Sequence, residues 1–306
     1  MSKFFKLHLG FEFAALLILF GGLAIVVFAA GCATPPLALN HTAKADGQPA
    51  PGGDSGRPLA ERLRLAALSI RSRFGGTGKK LDYKELIQSP QFVDLKAIAF
   101  ELRQFDLSTL KSKNDKISFW INVYNSLVIQ GIAEQTADRK IETVWDLGSF
   151  FGNTAYEVGG YRFSLDDIEN GILRANRRRP YGLNRQFSSS DPRLQYSVPK
   201  DEFDPRIHFA LNCGSASCPP FAFYKSEDLD HQLETAKCGF VTSDSVVEGD
   251  DVKISKIFDW YSGDFRPSVR EFILTCTNDD LKLKQALESP RLKLKFSEYN
   301  WHLNQL

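Results

Sequence analysis

The chain has 306 residues, 43% hydrophobic and 25% charged, with 24 Phe and 4 Trp, so it carries enough apolar surface for a substantial core and is not a disordered polymer. Its formal net charge is +1, and removing Lys3, Lys6 and Glu12 with residues 1–32 leaves basic and acidic side chains balanced. Without a basic excess to displace counterions from phosphates, nucleic acid is excluded as a partner, and the run Arg177-Arg178-Arg179 reads as a solvated face.

The opening segment places Lys3 and Lys6 before an apolar stretch from Phe13 to Ala30, the order of an export signal. It ends in Phe28-Ala29-Ala30-Gly31-Cys32, where small residues fit a signal peptidase and the cysteine thiol can accept a diacylglyceryl group. Residues 1–32 therefore read as a lipoprotein signal peptide lipidated at Cys32. The alternative is an uncleaved single-pass anchor, since the apolar stretch also reaches the lower limit for crossing about 30 Å of hydrocarbon. Both readings carry the rest of the chain to the extracytoplasmic, periplasmic face of the membrane. Residues 33–58, rich in Pro, Gly, Ala and polar side chains, read as a flexible linker, and 59–306 as one large α+β domain.

The spacing predicts a helix from Arg57 to Phe74, stopped by Gly75-Gly76, and a second from Ser89-Pro90 to about Gln104. A third, Lys116 to Glu134, is apolar most of the way round and should be buried. Asn122 and Asn125, three apart within it, then need partners, because an unpaired buried amide costs roughly 1–3 kcal/mol. A hairpin follows across Gly159-Gly160, then a helix capped by Ser164. Arg206 to Leu211 reads as a buried strand ending in the small-residue loop Cys213 to Pro220. A helix from Ser226, a strand near Val252 to Ile257, helices at Pro267 to Cys276 and Asp279 to Leu287, and a strand from Leu292 to Phe296 complete the pattern. The N-terminal third is thus helical and the remainder mixes strands and helices.

Several blocks together resemble one family. They are Phe119-Trp120-Ile121-Asn122-Val123-Tyr124-Asn125, Ser164 through Arg174, Asp204 through Gly214, Ser217-Cys218-Pro219-Pro220, Ile254 through Tyr261, Asp264-Phe265 and Tyr299-Asn300-Trp301-His302-Leu303-Asn304. In this order they look like the DUF547 domains of unknown function, and the resemblance covers about residues 75–306. It implies a bacterial lipoprotein-type member with no settled biochemical activity. Asn300 stands where the family often has Asp.

Chemically, His208, Cys213 and Cys218 lie five apart in succession. As a thiol hydrolase or acyltransferase acting on peptide or envelope material, Cys213 would be the nucleophile, His208 its base, and Asn122 or Asn125 would orient the imidazole. A helix bearing polar residues, then a His strand and an Asp-bearing strand, is remotely similar to papain-like and transglutaminase-like folds, which carry the nucleophile on the helix; here Asn122 and Asn125 occupy that region. The competing reading makes Cys213 and Cys218 a structural disulfide, or a redox pair, in an oxidising compartment, within a non-catalytic binding or scaffold module of the envelope. Cys213, Cys218, Cys238 and Cys276 permit three pairings. As metal ligands, His208, Cys213 and Cys218 match no common zinc spacing, so neither metal nor cofactor is predicted. Glu169 and Arg174 could hold a substrate carboxylate or each other. Asp259 and Trp260, with the Tyr299 to Trp301 segment, suit a glycan-binding cleft or the closure of a core. The partners predicted are the membrane, through the anchor, and an envelope protein, peptide or glycan.

Overall fold

Side-chain caps start the second, third and fourth helices of this chain, while the first begins after Pro58 without one. In the computed structural model, which describes residues 37–41, 56–76, 79–180, 182 and 184–306, α1 spans Leu59–Phe74, α2 Tyr83–Leu86 and α3 Pro90–Glu101. Asp82 accepts from Glu85 N ahead of α2, and Ser89 accepts from Phe92 N ahead of α3, each satisfying a first-turn amide that the helix itself leaves open. A full capping box between Ser112 and Asp115 starts α4, Lys113–Asp138. This helix is buried on every side from Ile117 to Ala133, which explains why its apolar residues show no single stripe.

A short α5, Phe150–Asn153, leads into the hairpin β1, Ala155–Val158, and β2, Tyr161–Ser164, in the register Val158 opposite Tyr161 that a two-residue Gly-Gly loop dictates. Beyond the hairpin come α6, Leu229–Asp244; β3, Val246–Glu248; β4, Asp251–Ile254; α7, Ile257–Trp260; α8, Val269–Leu274; α9, Leu281–Glu288; and β5, Lys293–Phe296. Strands β3 and β4 pair antiparallel, and β4 and β5 parallel, in a three-stranded sheet. Residues 37–306 form one compact unit of α+β type. Cys32, the apolar stretch 13–30 and most of the 33–58 linker lie outside the described residues. Among the described residues no helix is long and apolar enough to cross a membrane.

Two departures from the sequence reading matter for the site. Arg206 to Leu211 is not a strand: Pro205–Phe209 is a 3₁₀-helix, started by the Asp204 carboxylate accepting from Arg206 N with Pro205 in the first turn. That local cap outweighs the β-favouring run Ile207-His208-Phe209. The helix after Ser164 is a π-helix, Asp167–Leu173, in which Arg174 N donates to Glu169 O and Asn176 N to Gly171 O, each five residues back. It begins with a reciprocal pair, Ser164 N to Asp167 Oδ2 and Asp167 N to Ser164 Oγ. It ends in two left-handed residues, Ala175 and Asn176, an unfavourable conformation held because the Asn176 amide bonds Phe187 N and Phe187 O.

The core has two clusters. The larger gathers α1–α4, the hairpin and the π-helix; the smaller gathers Phe240, Val252, Ile254, Phe258, Phe265 and α8–α9. The 3₁₀-helix straddles them, with Ile207 and Ala210 in the first and Phe209 in the second.

Candidate functional site

His208 sits at this junction, 4% exposed, and its Nε2 lies 2.9 Å from Asp264 Oδ2. Arg174 at the end of the π-helix donates to the same oxygen through Nε at 2.8 Å, and through Nη1 to Asn170 Oδ1 at 2.7 Å. Burial pushes the Asp264 carboxyl upward, but the hydrogen bonds from His208 and Arg174 outweigh it and bring its pKa down to about 2. The carboxylate is therefore ionised, so His208 must present Nε2–H as donor. Burial meanwhile lowers the pKa of His208 against the pull of Asp264, which favours the neutral ring. The ring stacks on Tyr261 at 3.9 Å between centroids, and the Arg174 guanidinium covers the Tyr261 ring at 4.9 Å.

Tyr261 passes the network to Glu169. Its hydroxyl donates to Glu169 Oε1, and Tyr124 from α4 donates to Oε2 at 3.4 Å. Burial raises the pKa of Glu169 in spite of the Tyr261 hydrogen bond and the nearby Arg174 charge, while the residue keeps part of its surface exposed. A carboxyl with a raised pKa, bracketed by two phenols on a half-buried residue, is suited to hold a proton beside a bound ligand.

The Glu169 charge also reaches Tyr299, which faces the cysteine loop. Cys213 and Cys218 form a disulfide with Cα atoms 6.1 Å apart, and Cys238 pairs with Cys276. The Tyr299 hydroxyl sits 3.2 Å from Cys218 Sγ and 3.4 Å from Cys213 Sγ. The loop is shaped by Asn212, whose side chain donates to Pro219 O and accepts from Gly214 N, and by Gly214 at φ +85°, where a Cβ would come within 2.5 Å of Ile132. Residues 299–306 brace it from outside. Ala216 N donates to His302 O, Asn304 N to Gly214 O and Asn300 N to Ser217 Oγ. Asn300 Oδ1 also accepts from His302 N, a role for which an amide oxygen suffices without charge.

An aromatic row borders this loop. Trp145 and Trp301 lie 4.5 Å apart, Trp301 and Tyr299 4.5 Å, and Tyr299 and Trp260 4.7 Å. Trp145 is 65% exposed and the other three residues are half-buried.

The residues singled out from sequence are thus distributed as follows. Cys213 is bonded to Cys218, and the two asparagines of α4 are occupied by backbone. Asn122 exchanges two hydrogen bonds of 2.8 Å with Tyr224, and Asn125 donates to Ala210 O and Ala222 O and accepts from Asn212 N. Arg174 turns to Asp264 rather than to Glu169, Trp260 joins the aromatic row, and Asp259 pairs with Lys256 at 2.7 Å. Asp264, Tyr124 and Tyr261 carry the geometry without a role in the sequence reading, although each lies in a block that carries the family resemblance; Tyr299 enters that reading only within the Tyr299 to Trp301 segment. The family described as "Protein of unknown function, DUF547" matches residues 107–241. No curated protein and no solved structure matches the chain.

Proposed function

Residues 107–241 belong to the DUF547 family, whose description assigns no activity, and from the site itself we propose that the chain is an envelope binding module, membrane-anchored through Cys32 on the extracytoplasmic side. Its ligand is a glycan of the cell envelope, laid across Trp145, Trp301, Tyr299 and Trp260 with Glu169 at the inner end. The observation that carries this reading is the aromatic row: the exposed Trp145 ring continued by three half-buried residues, Trp301, Tyr299 and Trp260, where partly positive sugar C–H bonds can lie on negative ring faces. The thiol-dependent hydrolase or acyltransferase reading needs a free Cys213, a base at His208 and orienting amides at Asn122 and Asn125. Against it stand the Cys213–Cys218 bond, the occupation of His208 by Asp264 and of both amides by backbone.

The test is co-sedimentation of the full chain with purified peptidoglycan and other envelope polysaccharides. Trp301→Ala and Trp260→Ala are expected to weaken binding about tenfold each with the melting transition retained, and Cys32→Ser to move the protein from the membrane fraction to the soluble envelope fraction. Glycan binding unchanged in both tryptophan variants would discard the row as the ligand surface.

A further inference from the structure

The two disulfides stand in opposite chemical surroundings. Around Cys213–Cys218, every polar neighbour given for the sulfurs is a proton donor, because a bridged sulfur has no hydrogen of its own. Cys213 N–H donates to Cys218 Sγ at 3.0 Å, and the Tyr299 and Ser215 hydroxyls reach Cys218 Sγ at 3.2 and 3.3 Å. Cys218 is 1% exposed, whereas Cys213 keeps accessible surface. Burial raises the pKa of Tyr299 against a hydrogen bond with Ser215, and Asp244 and Glu169 add to the rise, so its hydroxyl stays protonated and able to donate. Beside Cys238–Cys276 stands the Glu234 carboxylate, 3.5 Å from Cys238 Sγ and paired with Lys237 and Arg206. A carboxylate there opposes the negative charge that a departing sulfur would carry.

We propose that Cys213–Cys218 is a thiol–disulfide exchange centre that takes two electrons from a dithiol co-substrate, with Cys213 the sulfur attacked and Cys218 the leaving group. A thiolate of the dithiol bonds to Cys213 Sγ, the Cys213–Cys218 bond breaks, and Cys218 departs as a thiolate held by Cys213 N–H, Tyr299 O–H and Ser215 O–H. The second thiolate of the co-substrate then attacks its own sulfur in the mixed disulfide and releases Cys213. The co-substrate leaves as a disulfide, and the two cysteine sulfurs take up two protons from solvent. The hydrogen bonds act on charge that exists only after the bond breaks, so they favour the reduced form and speed its formation.

The experiment uses the native full chain and follows both bridges by alkylation and peptide mass spectrometry during reduction with dithiothreitol. The Cys238–Cys276 pair, in which Cys238 is likewise a half-buried residue, is the internal reference. Cys213–Cys218 is expected to open at least tenfold faster than the reference, and Tyr299→Phe to slow that opening about tenfold while leaving the reference rate unchanged. With the native chain, a thioredoxin variant that keeps only its attacking cysteine is expected to be captured as a mixed disulfide on Cys213, since its thiolate breaks the Cys213–Cys218 bond and no second thiol is present to release it. Equal opening of the two bridges in the native protein, or a Tyr299→Phe rate equal to wild type for both, overturns the proposal.

Discussion

At the scale of single residues, the site is built around a carboxyl that folding makes harder to ionise. Glu169 has its pKa raised above the ordinary 4.5 by burial, against its Tyr261 hydrogen bond. The folded protein therefore holds that proton more tightly than the unfolded chain does. Its contribution to stability is full below about pH 4.5 and is lost as pH rises through the raised value. Glu169→Gln, which does not titrate, is expected to gain on wild type in melting temperature between pH 4 and pH 8. A difference that is the same at both pH values would mean that the carboxyl is not held in its protonated form. The residue scale is also where sequence was least informative. His208 and the cysteine loop stood out by type and spacing, but Asp264 meets His208 from 56 positions away and Glu169 meets Tyr261 from 92. Nothing local marks such pairs, because a third group, the Arg174 guanidinium, and the stacking of Tyr261 bring them together.

At the scale of elements, the caps were legible and the helix types were not. Ser89-Pro90, Gly159-Gly160 and Ser164 each announce a local geometry by chemistry within three residues, and each forms as read. The π-helix and the 3₁₀-helix differ from their sequence readings because each is decided by what packs on it. Gly171 illustrates this: a Cβ there would come within 2.4 Å of the Phe187 ring, whereas at Gly239 in α6 a Cβ meets nothing within 4 Å. Gly171→Ala is expected to cost about 1–3 kcal/mol through overpacking, and to disturb the alignment of Glu169 and Arg174. Gly239→Ala is expected to gain roughly 0.5–1 kcal/mol by stiffening the unfolded chain and favouring the helix. Chemical denaturation of the pair checks the contrast. Equal effects would mean that the Phe187 contact yields without cost.

At the scale of the molecule, α+β class and one large folded unit follow from the order of apolar segments, but the division of the core does not. The Arg174–Asp264–His208 network links the end of the π-helix, whose Ile172 and Leu173 belong to the larger cluster, to Asp264 beside Phe265 of the smaller one, and residues 299–306 tie the cysteine loop to the helical third. Leu81 N donates to Asn304 O, Val144 N to Trp301 O, Leu303 N to Glu142 O and the Tyr83 hydroxyl to Asn304 Oδ1. Deleting residues 299–306 is expected to lower the melting temperature by on the order of 10 °C or more, since several hydrogen bonds of about 1 kcal/mol each vanish together. A scanning-calorimetry shift of only a degree or two would show the segment to be decoration.

The placement of that bracing segment also has a temporal meaning. A ribosome delivers residues 299–306 after every group they bind, so loop 212–218 emerges, and its sulfurs can meet, before Tyr299 exists beside them. During that interval the cysteines can sample alternative pairings without the hydroxyl that later faces Cys218. Arrival of the last segment is then the assembly step that turns an ordinary loop bridge into one element of a finished surface, and a stalled or clipped chain carries the cysteines without their setting.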